Sequence, residues 1–195
     1  MKKKSLLFAA VLCSMGVWAQ KPVFGIKAGL NVADIKVQNV DNAFDTKLGF
    51  HVGGLAHLHV SDKIAFQPEL QFSTQGAELN NNDDLKLNYI NVPLIFQYMF
   101  NNGFRLEAGP QIGFLVNAEQ ESGSVTSDVK NQYKGVDVAL GLGLNYLTYS
   151  GFGVGARYNL GLSNIREQGP NDYMNRGAQV SLFYMFDNDH KAKSR

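Results

Sequence analysis

The sequence holds one cysteine, five prolines and one tryptophan. It contains no uninterrupted apolar run of the roughly 20 residues that a membrane-spanning helix needs. A lone cysteine, Cys13, cannot form an intrachain disulfide. The 18 basic side chains are matched by 17 acidic ones, so no basic stripe marks a nucleic-acid partner and none is expected. The 20 glycines are dispersed and the prolines form no run, which excludes a collagen-like or linker-like polymer. No serine stands in a nucleophile elbow and no motif calls for a cofactor, so the chain is not expected to be an enzyme.

The N-terminus is patterned. Lys2, Lys3 and Lys4 precede an apolar run from Leu6 to Val17, followed by Val17-Trp18-Ala19, the layout of a secretory signal peptide. Residues 1–19 are expected to be removed, leaving 15 basic against 17 acidic side chains in a chain that starts at Gln20. Leu12 precedes Cys13 where a lipoprotein would need a small residue, so lipidation is not expected. The division read from the sequence is 1–19 signal peptide, 20–186 one domain, and 187–195 a charged tail.

The dominant feature lies in between. Phe152, Val154, Ala156, Tyr158, Leu160 and Leu162 alternate strictly with Gly153, Gly155, Arg157, Asn159, Gly161 and Ser163, so a strand here has one apolar face and one small, polar face. The pattern returns at Phe24–Val32, Leu48–Val60, Ile64–Gln75, Lys86–Phe100, Phe104–Val116, Val136–Tyr146 and Gly177–Phe186. Pro68 interrupts the third run and predicts a bulge or a missing ladder bond. Polar segments at 34–47, 77–85, 117–134 and 164–176 read as long loops, and 61–63, 101–103 and 148–151 as tight turns, with Asn101-Asn102-Gly103 the clearest hairpin signal.

An even number of antiparallel strands, each about ten residues or longer, with connections that alternate long and short, predicts an eight-stranded antiparallel up-and-down transmembrane β-barrel. Its apolar face would meet outer-membrane lipid. The inward glycines, among them Gly141, Gly143, Gly153 and Gly155, would make room in a lumen only wide enough for side chains. A soluble secreted carrier of the lipocalin kind is the rival, and it requires the opposite orientation.

Four runs carry a family resemblance: Gln67-Pro68-Glu69-Leu70-Gln71-Phe72, Tyr89-Ile90-Asn91-Val92-Pro93-Leu94-Ile95-Phe96, Ala108-Gly109-Pro110, and Ala156-Arg157-Tyr158-Asn159-Leu160-Gly161-Leu162. They resemble the porin-family outer-membrane barrels of Bacteroidota, the PorT-like barrel domain. The resemblance implies an outer-membrane location. It leaves open a structural or surface-interaction role, a narrow small-solute pore and a part in secretion. The aromatic end of the last strand, Tyr184 and Phe186, resembles the signal read by barrel-insertion machinery.

The inward ionisable residues are Lys27, His51, His57, His59, Glu69, Arg105, Glu107, Asp137 and Arg157. Charges persist in a low-dielectric interior when paired, so Lys27, Glu69, Arg105, Glu107, Asp137 and Arg157 are expected to form a charge network. Arg105 and Arg157 would meet Glu69, Glu107 or Asp137. His57 and His59 lie about 7 Å apart along their strand and His51 lies further off, so no metal site is expected. Ser73, His57 and Glu69 could be drawn as a triad, but no motif supports it. Tyr98, Phe100, Phe104, Tyr146, Tyr149 and Tyr184 fit an interfacial girdle.

Overall fold

The computed structural model describes residues 21–38, 40, 44–79, 83–169 and 171–186. The signal peptide and the charged tail expected from the sequence lie outside these residues.

The chain forms strands β1 (Val23–Val37), β2 (Asp45–His59), β3 (Ile64–Leu79), β4 (Asp83–Met99), β5 (Phe104–Ser122), β6 (Val125–Asp128), β7 (Val136–Leu147), β8 (Phe152–Gly161) and β9 (Tyr173–Met185). Every pairing is antiparallel. The sheet runs β4-β3-β2-β1-β9-β8-β7-β5, and a β4–β5 pairing closes it into an eight-stranded barrel. β6 is a short arm that pairs only with the far end of β5. Closure leaves no barrel edge with unpaired amides, the condition for strands to stand in hydrocarbon.

Each strand sorts its residues as the period of two requires. Phe152 and Leu162 are 62% and 63% exposed, whereas Arg157 is 3% exposed. The apolar faces therefore form the outer wall and the polar faces line the lumen, the opposite of what the lipocalin-like arrangement requires, and that arrangement is not favoured. The tight turns gather at one rim, where Gly103 (φ 92°) and Gly151 (φ 90°) take the left-handed backbone that glycine accepts without strain. Around that rim the rings of Tyr98 and Phe100, Phe104 and Tyr146, and Phe152 and Tyr184 lie in pairs with centroids 4.6–5.1 Å apart, as a girdle requires.

The opposite rim departs from the expected loops. β1 continues through Ala33, Ile35 and Val37, β3 and β4 run on to Leu79 and back from Asp83, and β9 starts at Tyr173. The segment 117–134 is mostly the β5–β6 hairpin and a 3-10 turn at Lys130–Gln132. These extensions are polar outside and apolar inside, so they look loop-like by composition while still burying a face. A register shift between Asn88 and Tyr89 on β4 against β5 also breaks the alternation: Leu115 and Ala118 both point inward.

Three prolines interrupt the ladder on consecutive strands. Registered pairing skips the positions where Ala56 would face Pro68, Glu69 would face Pro93 and Leu94 would face Pro110. Proline has no N–H to give, so the gaps run diagonally across β2 to β5. The missing bond expected at Pro68 is one of them.

Candidate functional site

The middle of the lumen is a charge layer. β8 projects Arg157 inward over Gly141 and Gly143, and a Cβ on Gly143 would come within 2.8 Å of Glu107 Oε1. That glycine clears the space in which the arginine and the glutamate meet. Arg157 Nη1 and Nη2 donate to Glu69 Oε2 and Oε1 at 2.9 and 2.8 Å, and its Nε donates to Glu107 Oε1 at 2.7 Å. Lys27 Nζ lies 3.3 Å from both Glu69 oxygens. Glu69 accepts further bonds from Gln67 Nε2 (2.8 Å) and Gln71 Nε2, and Glu107 from Asn145 Nδ2 (2.5 Å) and Gln97 Nε2 (3.3 Å).

Two cations face two carboxylates, and all four side chains are at most 5% exposed. Burying four charges carries a desolvation cost of several kcal/mol per ion. The fork on Glu69 and the ring of amide donors offset that cost, because charge-assisted and bidentate bonds are the strong ones. Geometry of this kind fixes the side chains of the layer.

Two expected members stand apart. Arg105 lies nearer the tight-turn rim, where it donates to Gln97 Oε1 at 3.4 Å and is linked through Gln97 to Glu107. Asp137 lies toward the other end and accepts from Ser163 Oγ (2.7 Å) and Asn175 Nδ2 (2.9 Å). It makes no contact with Arg157 because Gly141 and Asn159 intervene along the neighbouring strands.

The lumen also holds apolar side chains for which the sequence reading had made no place. Val23, Leu55, Leu147, Phe183 and Met185 form a cluster at the tight-turn end. Phe183 lies over Gly153, and a Cβ there would collide with the ring. At the far end Ile35, Ala77, Leu85, Leu87, Tyr89, Leu115, Ala118, Val129 and Ile165 form a second cluster, with Phe44, Leu79, Tyr133 and Tyr173 packed against it. The signal that could have found most of them is the period of two itself. Leu55 shares a face with His51 and His57, Phe183 with Ser181, and Leu85 and Leu87 with Tyr89.

The histidines do not converge. His51 Nδ1 donates to Asn31 Oδ1 at 2.6 Å and Nε2 lies 2.8 Å from Ser181 Oγ. His57 Nδ1 lies 3.2 Å from Gln67 Oε1, and the His57 and His59 rings meet edge-on at 4.9 Å. Among the described residues no group of three or more His, Cys, Asp or Glu side chains could hold a metal. Ser73 Oγ accepts from Asn31 Nδ2 at 3.0 Å and from Gln75 Nε2 at 3.3 Å, and Glu69 is occupied by the charge layer.

An eight-stranded barrel wall, apolar outside and carrying paired charges inside, defines an outer-membrane β-barrel. The chain belongs to the outer membrane protein beta-barrel domain family, whose model matches residues 18–167. No curated protein sequence matches it. Among solved structures it is similar to Neisserial surface protein A, at 15% identity over 84% of this chain and 97% of that one, with a TM-score of 0.56. It is also similar to Ail, the attachment invasion locus protein of Yersinia pestis, at 16% identity over 86% and 100% of the two chains, with a TM-score of 0.53. At these identities the likeness is one of fold, and it accords with a chain that resides in the outer membrane.

Proposed function

We propose that this protein is a non-conducting outer-membrane barrel, of the porin-family kind found in Bacteroidota, that acts as a structural or surface-interaction protein and performs no catalysis. The observation that carries this reading is the stacking of the lumen: an apolar layer, a charge layer and a second apolar layer, with Phe183, Arg157 and Tyr89 at successive heights. An ion crossing it would have to displace paired charges and two dry clusters, and narrow pores conduct only where binding is weak enough to leave.

The working surface is then the extension beyond the lipid band, where β3, β4 and β5 carry their own packed core and present a rigid rim. Residues Asp45, Glu78, Asp84 and Glu121 face one another in register across β2 to β5, and Lys47 and Lys86 pair with two of them. Ail was solved in complex with a heparin analogue, sucrose octasulfate. A row of carboxylates favours partners of the opposite charge. Export by residues 1–19 and handling by barrel-insertion machinery complete the reading.

Planar-bilayer recordings test it. The purified barrel should insert without stepwise conductance, and steady single-channel currents would transfer the assignment to a small-solute pore.

A further inference from the structure

The outer wall is not uniformly convex. Across β2, β1, β9, β8 and β7, beside the tight-turn rim, it carries a hollow of about 640 Å³, a size typical of sites that enclose small molecules. The register sets out its two rows of side chains. Val52, Ala28, Leu182, Val154 and Tyr146 face one another in the first, and Ile26, Tyr184 and Phe152 form the next one toward the turns. Ala28 stands between the longer Val52 and Leu182, so the first row dips at its methyl group. Lys27 and Phe183 also line the hollow, but their side chains are buried on the lumen side. They reach it through the main chain, which forms its floor.

Lipid tails are as apolar as leucine, so no hydrophobic gain draws a lipid to one part of this wall over another. Packing makes the difference. A chain on a convex surface touches protein on one side and a chain in a hollow on several, and every added contact contributes dispersion. We propose that the hollow binds one phospholipid of the periplasmic leaflet, with an acyl chain lying over Ala28 between Val52, Leu182 and Val154. Ile26, Val52 and Leu182 are exposed apolar residues of the lipid-facing wall, so the site is continuous with the surface that already meets hydrocarbon. Tight turns mark the periplasmic end of such barrels, and the hollow lies beside them. There Tyr146, Thr148 and Tyr184 bring hydroxyl groups to its edge, and the Phe152 and Tyr184 rings lie 4.6 Å apart in the girdle. Rings with a polar tip sit at headgroup level, which places the lipid's glycerol end at the rim and its tail toward the membrane centre. A second barrel fits less well, because a two-fold contact sets the same patch against itself and two facing hollows enclose a void.

The test is lipid retention by the full purified chain. The barrel is stripped of lipid in detergent, offered palmitoyl-oleoyl-phosphatidylethanolamine and lipopolysaccharide together, and weighed by native mass spectrometry. One phosphatidylethanolamine per chain should survive activation that removes the remaining lipid. Ala28→Trp fills the dip from the lipid side and should abolish that retention. Val154→Ala lowers one wall and should weaken it, which keeps the test open if the tryptophan variant folds poorly. Leu106→Trp enlarges an exposed residue of β5 outside the hollow and should hold lipid as the parent does. Retention in Ala28→Trp or Val154→Ala equal to the parent's, its loss in Leu106→Trp as well, or no lipid held by the parent would overturn the assignment. Preferential retention of lipopolysaccharide, or a dimer of the chain in place of a lipid-bearing monomer, would overturn it too.

Discussion

Arg157 reaches across the lumen from β8 and grips both carboxylate oxygens of Glu69 on β3, a residue 88 positions earlier in the chain. Because successive side chains alternate faces, a one-residue slip of either strand would turn its charge toward lipid. The pair thereby reports whether both strands are in register, whatever it adds to stability.

Removing one partner should show the cost of stranding the others. Arg157→Met leaves Glu69 and Glu107 with Lys27 as the cation bonded in their layer, and should destabilise the barrel by about 3–5 kcal/mol. Adding Glu107→Gln to it should recover part of that loss, since one unpaired charge is then gone. Urea unfolding in phospholipid vesicles measures both. A loss below about 1 kcal/mol in the single variant would mean that the layer is hydrated rather than sealed.

Phe183→Ala separates stability from closure. The ring fills the space over Gly153 at the tight-turn end, so its removal should cost about 3–5 kcal/mol. The charge layer above stays intact, and planar-bilayer conductance should remain nil. If Phe183→Ala alone conducts, the apolar floor and not the charge layer is what closes the lumen.

Much of this was readable in the chain. Phe152 to Ser163 shows the two faces, and the wall follows from its seven repeats because lipid and lumen impose opposite polarity on adjacent residues. Arg157, Glu69, Glu107 and Lys27 could be nominated as inward charges, but which of them meet depends on the height of each strand in the closed barrel. That height is set by register across partners far apart in sequence, which is why Arg105 and Asp137 were grouped with the rest and lie elsewhere. The apolar layers were missed for a different reason: Leu55, Phe183 and Leu87 are hydrophobic residues on the polar face, and an apolar-out rule has no place for them. The strand extensions were missed because Asp83, Asp84 and Lys86 give the start of β4 the composition of a loop.

The outer wall carries its own test. Leu182, in the middle of the apolar band of β9, is 68% exposed. In a water-soluble protein a substitution at so exposed a position would change stability by no more than about 0.5 kcal/mol. In a bilayer Leu182→Arg should cost about 2–4 kcal/mol, and refolding yield into vesicles should fall with it. Equal stability of Leu182→Arg and the parent in vesicles would show that this face does not meet hydrocarbon.

The far apolar cluster is testable by alkali, because Tyr133 packs against it outside the lipid band. Burial pushes the Tyr133 hydroxyl above its ordinary value, partly offset by the Arg166 guanidinium. A raised folded value means that the folded state holds the proton more tightly than the unfolded chain. The stabilisation is therefore fully present below about pH 10, where an unfolded tyrosine ionises, and is lost as pH rises through the folded value. Tyrosinate absorbance should show a late-titrating component that vanishes in Tyr133→Phe, and that variant should lose less stability than the parent between about pH 9 and 11. If Tyr133→Phe leaves both the titration and the alkaline melting curve unchanged, the cluster opens to water and the rim is not the packed platform that a surface partner would need.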